Sequence, residues 1–147
     1  VGPAKFDLLI SNNKLIILEM TTRLSGGFDC QILVPSATGQ NIIKASMLTS
    51  LGKNFGKTDL KQKFNKIAYS SSVWPKPGKI LKIDYNEPKT RKNEFLEIII
   101  NKKKGDIIES YQNCADRTCF IIASSVSEKK TKKLINTAKK SLQIITQ

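Results

Sequence analysis

A chain of 147 residues, 39% hydrophobic and 25% charged, is long enough for one medium domain or two small ones with a real core. It contains no histidine, which excludes Ser-His and Cys-His nucleophile pairs, histidine zinc sites and the commonest general base. Any catalysis must therefore run on carboxylates, Arg, Lys, backbone groups or a metal held by oxygen. No apolar run approaches bilayer length, and VGPAKFDLLI lacks a cationic leader, so the expectation is a soluble, cytoplasmic protein with no membrane partner.

In chain order, Ala4–Ile10 and Leu15–Thr21 read as two strands around a polar turn at Ser11–Lys14. Leu24–Gly27 is a tight loop. Asp29–Val34 suits a helical turn that Pro35 ends, with Gly39 as further punctuation. Asn41 is placed to cap a helix reaching Leu51, and Gly52–Gly56 closes it. The texture then changes to short strands at Lys66–Val73, Lys79–Asp84, Glu94–Ile100 and Cys119–Ser124, separated by turns containing PKPG, NEP and KKKGD. Ser127 is placed to cap a last helix, SEKKTKKLINTAKKSLQ. Leu134, Ile135, Ala138, Leu142 and Ile145 would form its buried stripe. The fold class is α+β, with a boundary near residue 53.

The net charge of +13 is unevenly spread. Residues 1–52 are nearly neutral, whereas residues 53–147 hold 21 basic and 9 acidic groups, a surplus of +12. Within that surplus only Arg91 and Arg117 are arginines. Sequence readers of nucleic acid rely on Arg forks and stacking aromatics, so these lysines read as a solvated surface, and nucleic acid is a disfavoured partner. Cys30, Cys114 and Cys119 are odd in number, and the last two are too far apart for a redox or zinc knuckle. They read as buried or incidental thiols and argue against a disulfide framework.

The chemistry concentrates in the first hairpin. Alternation puts Lys5, Asp7 and Leu9 on one face of the first strand, and Leu15, Ile17, Glu19, Thr21 and Arg23 on one face of the second. A three-residue loop Asn12-Asn13-Lys14 would pair Ser11 with Leu15, Asp7 with Glu19 and Lys5 with Thr21. Two facing carboxylates repel unless a positive charge lies between them, and Mg²⁺ suits such a site because phosphate oxygens and water complete its shell. Arg23 offers a planar fork for phosphate, and Gly26 and Gly27 leave room for a ligand beside the backbone. Spacing alone leaves two readings open. One is this metal and phosphate site; the other is a surface hairpin of solvated charge pairs. A two-residue loop would shift the register by one and send Asp7 and Glu19 to opposite faces.

The stretch FDLLISNNKLIILEMTTRLSGGFDCQILVPSATGQNIIKASMLTSLG resembles the closing segment of ATP-grasp carboxylate–amine ligases. In those enzymes an acidic residue on one strand precedes an E-x-N-x-R strand, a glycine-bearing loop and a helix. The resemblance implies the C-terminal portion of an ATP-grasp fold over residues 1–52, followed by a small strand-rich domain with a C-terminal helix over 53–147. It implies Asp7 and Glu19 as Mg²⁺ ligands, Arg23 as the catalytic arginine on the transferred phosphate, and Lys5 and Thr21 at the nucleotide. Thr21 stands where the family has Asn. Ser25, Gly26 and Gly27 fall on the substrate side. The implied cofactors are ATP and Mg²⁺, with Mn²⁺ as a substitute.

The implied activity is ATP-dependent ligation of a small-molecule carboxylate to an amine through an acyl phosphate. The LSGGFDCQ loop is similar to the amino-acid-ligase and carbamoyl-phosphate-synthase-like branches. No Glu-x-Arg strand precedes WPKPGK, which points away from biotin carboxylation. The chain carries none of the nucleotide-clamping lysines or glycine-rich loop of such enzymes. The expectation is therefore a fragment whose partners are the N-terminal lobes of a parent enzyme, with a homodimer as a candidate assembly, and which does not turn over alone. A second reading, a basic module for RNA or an acidic partner, rests on the charge. A third makes the small domain a brace or dimerisation element.

Overall fold

The computed structural model describes residues 2–54, 56, 60–86 and 88–147. The chain divides into two compact units, Val1–Lys63 and Phe64–Gln147. The change of texture at residue 53 falls inside the first. The Gln40 amide donates to the Leu60 carbonyl at 2.7 Å and the Lys63 amide to the Thr38 carbonyl at 2.9 Å, which ties residues 60–63 to that unit.

The first unit opens with an antiparallel hairpin, β1 (Lys5–Ser11) and β2 (Lys14–Thr21). A π-helical turn at Asp29–Leu33 runs into the short helix α1 (Val34–Thr38), and α2 (Ile42–Ser50) follows. Pro35 starts α1 instead of ending the turn before it. In the first turn of a helix the missing N–H costs nothing, and the ring fixes φ near its helical value. Gly39, at φ 74°, is the left-handed cap that ends α1. The Asn41 side chain accepts the Lys44 amide at 2.9 Å and so begins α2.

The second unit holds two three-stranded sheets. One has β7 (Cys119–Ser125) in the centre, flanked by β3 (Ile67–Ser71) and β5 (Phe95–Ile100). The other has β4 (Gly78–Tyr85) between β6 (Ile107–Ile108) and β8 (Leu142–Thr146). All ladders are antiparallel. All seven residues of β7 are buried, as a central strand covered on both faces requires. Helix α3 (Glu128–Ser141) lays Leu134, Ile135 and Ala138 against Leu96, Cys119, Ile121 and Ala123, and its lysines face water.

The last helix is shorter than its apolar stripe predicts. It stops at Ser141, and Leu142–Thr146 pair with β4 as a strand. Leu142 is buried on either reading, but Ile145 lies 46% exposed on β8 and belongs to no helical stripe. Where β4 meets this strand, Gly78 has φ 144°, and a Cβ there would lie 2.4 Å from the Gln147 carbonyl oxygen. Only glycine admits that approach. The cysteines are all free, with Cys30 and Cys119 buried and Cys114 exposed. Among the described residues no helix is long and apolar enough to cross a membrane.

Thr131 fastens α3 to the central sheet. Its buried hydroxyl lies 2.9 Å from the Ile67 carbonyl, 3.1 Å from the Ser127 carbonyl and 2.8 Å from the Ser125 hydroxyl. Replacing it by the isosteric valine strands these groups in a dry environment. Thr131→Val should lower unfolding free energy by about 1–3 kcal/mol in chemical denaturation, and Thr131→Ser by less. A second test concerns Asp116. Its carboxylate accepts the Gln112 and Asn113 amides at 2.7 and 3.0 Å, which hold its pKa below the usual carboxylate range. That contribution is present above the pKa of the unfolded chain and disappears as pH falls through the depressed folded value. Amide shifts of Gln112 and Asn113 should titrate with a midpoint below that of free aspartate (about 3.9).

Candidate metal and phosphate site

The hairpin turn has two residues. Asn12 and Asn13 sit at φ 49° and 58°, the left-handed pair that matches the twist of the flanking strands, and Ser11 pairs with Lys14. The three-residue loop that alternation favours is therefore absent, and Lys14 lies in the strand. An unbroken ladder from this turn would set Asp7 opposite Leu18 and turn Glu19 to the far face. A β-bulge prevents it. Leu8 pairs with Ile17 and Asp7 with Glu19, so Leu18 is an extra residue on β2. Beyond the bulge, Phe6 pairs with Met20 and Lys5 with Thr21. The four residues expected to share a face do share it, by a different route.

Directly opposed residues in an antiparallel pair project to the same side, so the two carboxylates are close neighbours. Lys5 supplies the nearest positive charge. Its ammonium donates to Asp7 Oδ2 at 2.7 Å, with the two side chains 27% and 45% exposed. Thr21 Oγ1 is buried and has no hydrogen-bond partner among the described residues. A buried hydroxyl left unsatisfied costs about 1–3 kcal/mol, a cost that a ligand oxygen or cation beside it would remove. No cluster of three or more His, Cys, Asp or Glu side chains suited to a metal occurs among the described residues. Two carboxylates and one orphan hydroxyl are too few for a protein-only cage. They fit Mg²⁺, which shares its octahedral shell with phosphate oxygens and water.

Arg23 reaches this region differently from the strand residues. β2 ends at Thr21 and residues 22–23 form a bend, so strand alternation does not extend to Arg23. Its exposed guanidinium folds back to donate to the Leu24 carbonyl at 3.0 Å. In the loop that follows, Ser25 donates to Asp29 Oδ2 at 2.8 Å, and the Asp29 amide donates to the Gly26 carbonyl at 3.3 Å. Gly27 and Phe28 are both left-handed, at φ 68° and 65°. A Cβ on Gly26 would meet nothing within 4 Å, so the space above it is open. Asp29 was not among the residues picked out by sequence reasoning. Its signal is the S-x-x-x-D spacing across the glycine pair, which lets one carboxylate brace the loop from its far end.

No family model matches the sequence, and no curated protein matches it. Solved structures do. The chain is similar to phosphoribosylglycinamide synthetase from Anaerococcus prevotii, with TM-score 0.83 and 22% identity over 98% of this chain and 37% of that one. The L-amino acid ligase from Bacillus licheniformis superposes with TM-score 0.73 and 22% identity, over 99% of this chain and 36% of that one. The chain has the C-terminal part of an ATP-grasp fold. A third ATP-grasp neighbour is the biotin carboxylase domain of Hydrogenobacter thermophilus 2-oxoglutarate carboxylase, a dimer in complex with MgADP, ADP and bicarbonate. It superposes with TM-score 0.69 and 15% identity, over 97% of this chain and 32% of that one. The chain thus spans about a third of the length of the ATP-grasp structures it matches.

The bulge yields a test. Deleting Leu18 removes the extra residue and leaves a regular ladder in which Asp7 still faces Glu19. Cross-strand NOEs between Asp7 and Glu19 should survive in the Leu18 deletion. Their replacement by contacts from Asp7 to Met20 would show that the bulge does not set the register.

Proposed function

We propose that this chain supplies the metal- and phosphate-binding part of an ATP-dependent ligase, which activates a carboxylate as an acyl phosphate and passes it to an amine or related nucleophile. The observation that carries the reading is the facing pair Asp7–Glu19 beside the orphan Thr21 hydroxyl, on an ATP-grasp fold. Residues 1–52 act as the closing segment of the ATP-grasp domain and residues 53–147 as the small C-terminal domain.

Asp7 and Glu19 would hold Mg²⁺, or Mn²⁺ in its place, and Thr21 would offer its free oxygen to the same cluster. Bound there, the cation supplies charge neutralisation for the phosphates of ATP. Lys5 now screens Asp7; with a divalent charge held at the pair its ammonium would be free to meet a phosphate oxygen. Arg23 leaves the Leu24 carbonyl and grips the transferred phosphoryl group with its fork. The γ-phosphoryl moves to the carboxylate oxygen and ADP departs. The nucleophile then attacks the acyl carbon and phosphate leaves. Ser25, Gly26 and Gly27, braced by Asp29, shape the side on which the acyl group and its acceptor meet. Such chemistry depends on positioning and charge neutralisation and has no need of an imidazole.

The complex of the Hydrogenobacter thermophilus biotin carboxylase domain with MgADP supports ATP and Mg²⁺ as cofactors here. That MgADP complex is also a dimer, which supports a homodimer as the assembly here. The sequence before WPKPGK, without Glu-x-Arg, argues against biotin as acceptor. The face of the hairpin opposite the acids carries Phe6, Leu8, Ile10, Leu15, Ile17 and Met20, all exposed. We assign this face to the N-terminal lobes of the parent enzyme, and the whole to the cytoplasm.

In the full-length enzyme, Asp7→Asn and Glu19→Gln should each cut Mg-dependent ATP consumption by about 10²-fold or more. Near-normal turnover in both would overturn the assignment. Mn²⁺ binding followed by electron paramagnetic resonance should weaken in the same variants, and this separates metal loss from loss of the chemical step.

A further inference from the structure

The second unit contains a cleft of about 280 Å³ between the connection that follows β4 and the outer flank of α3. Lys89 and Arg91 line it from the connection, and Lys130 and Lys133 from the helix, with buried Leu134 and exposed Thr137 on the same helix. Positions 130, 133, 134 and 137 follow helical spacing, so these side chains form one stripe that meets the buried one at Leu134. Four cations therefore border one small concavity.

Glu94 is the only carboxylate lining the cleft among the described residues, and it is already engaged. Its Oε2 accepts the Arg91 amide at 2.8 Å while its own amide donates to the Arg91 carbonyl at 3.0 Å. This reciprocal pair, with Asn93 left-handed at φ 70°, closes the turn and fixes Arg91 at the rim. The four cationic side chains make no ion pair among the described residues, whereas Lys82 pairs with Asp84 and Lys132 with Glu128. The broader groove along the outer face of α3 contains that Glu128–Lys132 pair, so its charge is partly answered from within. Beside Lys102, Glu109 and Asp116 share the walls of a smaller cleft of about 150 Å³. Among the described residues, the cleft beside Arg91 gathers four cations around a carboxylate spent on the backbone.

We propose that this cleft binds a phosphate group, either free or carried on a small organic body. Arg91 supplies a planar fork and the three lysines point charges, the combination that phosphate oxygens favour. Leu134 and Pro88 give an apolar wall against which an organic body can rest, and Thr137 a hydroxyl. The volume suits a ligand somewhat smaller than a drug-sized molecule, for which pockets start at about 300 Å³. The site lies wholly within the second unit and does not depend on the assignment of the hairpin.

Isothermal titration of the 147-residue chain with inorganic phosphate and with phenyl phosphate, at low and at physiological salt, tests it. Saturable binding at one site per chain is expected. Tighter binding of phenyl phosphate assigns the site to an organic phosphate, and equal affinities assign it to free phosphate. Arg91→Ala, and Lys130→Ala with Lys133→Ala, should each weaken binding at least about 10-fold. The control Lys102→Ala with Lys103→Ala removes the same charge as the helix pair and should leave affinity within about twofold. Equal losses in control and cleft variants, or no saturable binding, would overturn the proposal. Displacement of phenyl phosphate by an oligonucleotide with length-dependent affinity would also overturn it, since the surface would then be a nucleic-acid track.

Discussion

An antiparallel ladder has a side-chain period of two, so the placement of every chemical group on the hairpin depends on how many residues separate the turn from the acids. The Asn12-Asn13 turn alone gives the wrong parity. Leu18 restores it, because one extra residue on β2 returns Glu19 to the face of Asp7 and Thr21 to the face of Lys5. The local cost of the bulge is a disrupted rung of the ladder. What it secures is a facing pair of carboxylates, an arrangement that repulsion would oppose if no cation answered it. Lys5 answers part of that charge at Asp7. Glu19 and the buried hydroxyl of Thr21 are left without a comparable partner among the interactions of the described residues, and both lie on the same end of the same face.

The two units differ in how they account for apolar surface. In the second, β7 is buried from end to end, and α3 closes the sheet with Leu134, Ile135 and Ala138 while Thr131 satisfies the polar groups at the join. Among the described residues the sheet of the first unit has two strands, with Leu9 and Ile16 exposed on the acid face and Leu18 exposed at the bulge, in addition to the apolar side. An isolated two-stranded hairpin is marginal in water, and contiguous exposed apolar surface marks an interaction site. A chain that spans about a third of its structural neighbours and leaves this hairpin uncovered fits one part of a larger fold.

Features set by local chemistry were legible in the sequence. The capping residues Asn41 and Ser127, the α3 stripe, the β7 strand and the free thiols needed only side-chain type and spacing. The grouping of Asp7, Glu19, Lys5 and Thr21 was legible only as one of two registers, since no composition signal distinguishes Leu18 as the bulged residue inside the run Leu-Ile-Ile-Leu. Pro35 was misread because a proline ends one helix and begins another with equal ease, and position alone separates the two. Strand β8 was absorbed into the helix before it, since Leu142 and Ile145 satisfy a helical period. The ladder with β4 decides the matter, and it is a long-range contact. Arg23 was assigned to the acid face by extending alternation past the point where β2 stops.

The lysines show why charge totals say less than charge partners. On the outer face of α3, Glu128 lies beside Lys132 and accepts a hydrogen bond from the Tyr69 hydroxyl, which depresses the carboxyl pKa and raises those of the ammonium and the phenol. All three shifts keep the group in one charge state across the neutral range, so this cluster is a fixed structural pair on a wet surface. The cations beside Arg91 have no answering carboxylate among the described residues, because Glu94 is held by backbone. Counted together these groups give one basic surface. Sorted by partner they separate into a partly answered face and a cleft whose cations make no ion pair among the described residues, and the second leaves the more electrostatic work for a ligand to do. The same distinction separates Asp7, already answered by Lys5, from Glu19 and Thr21, where the chemistry of the hairpin remains open to a bound cation.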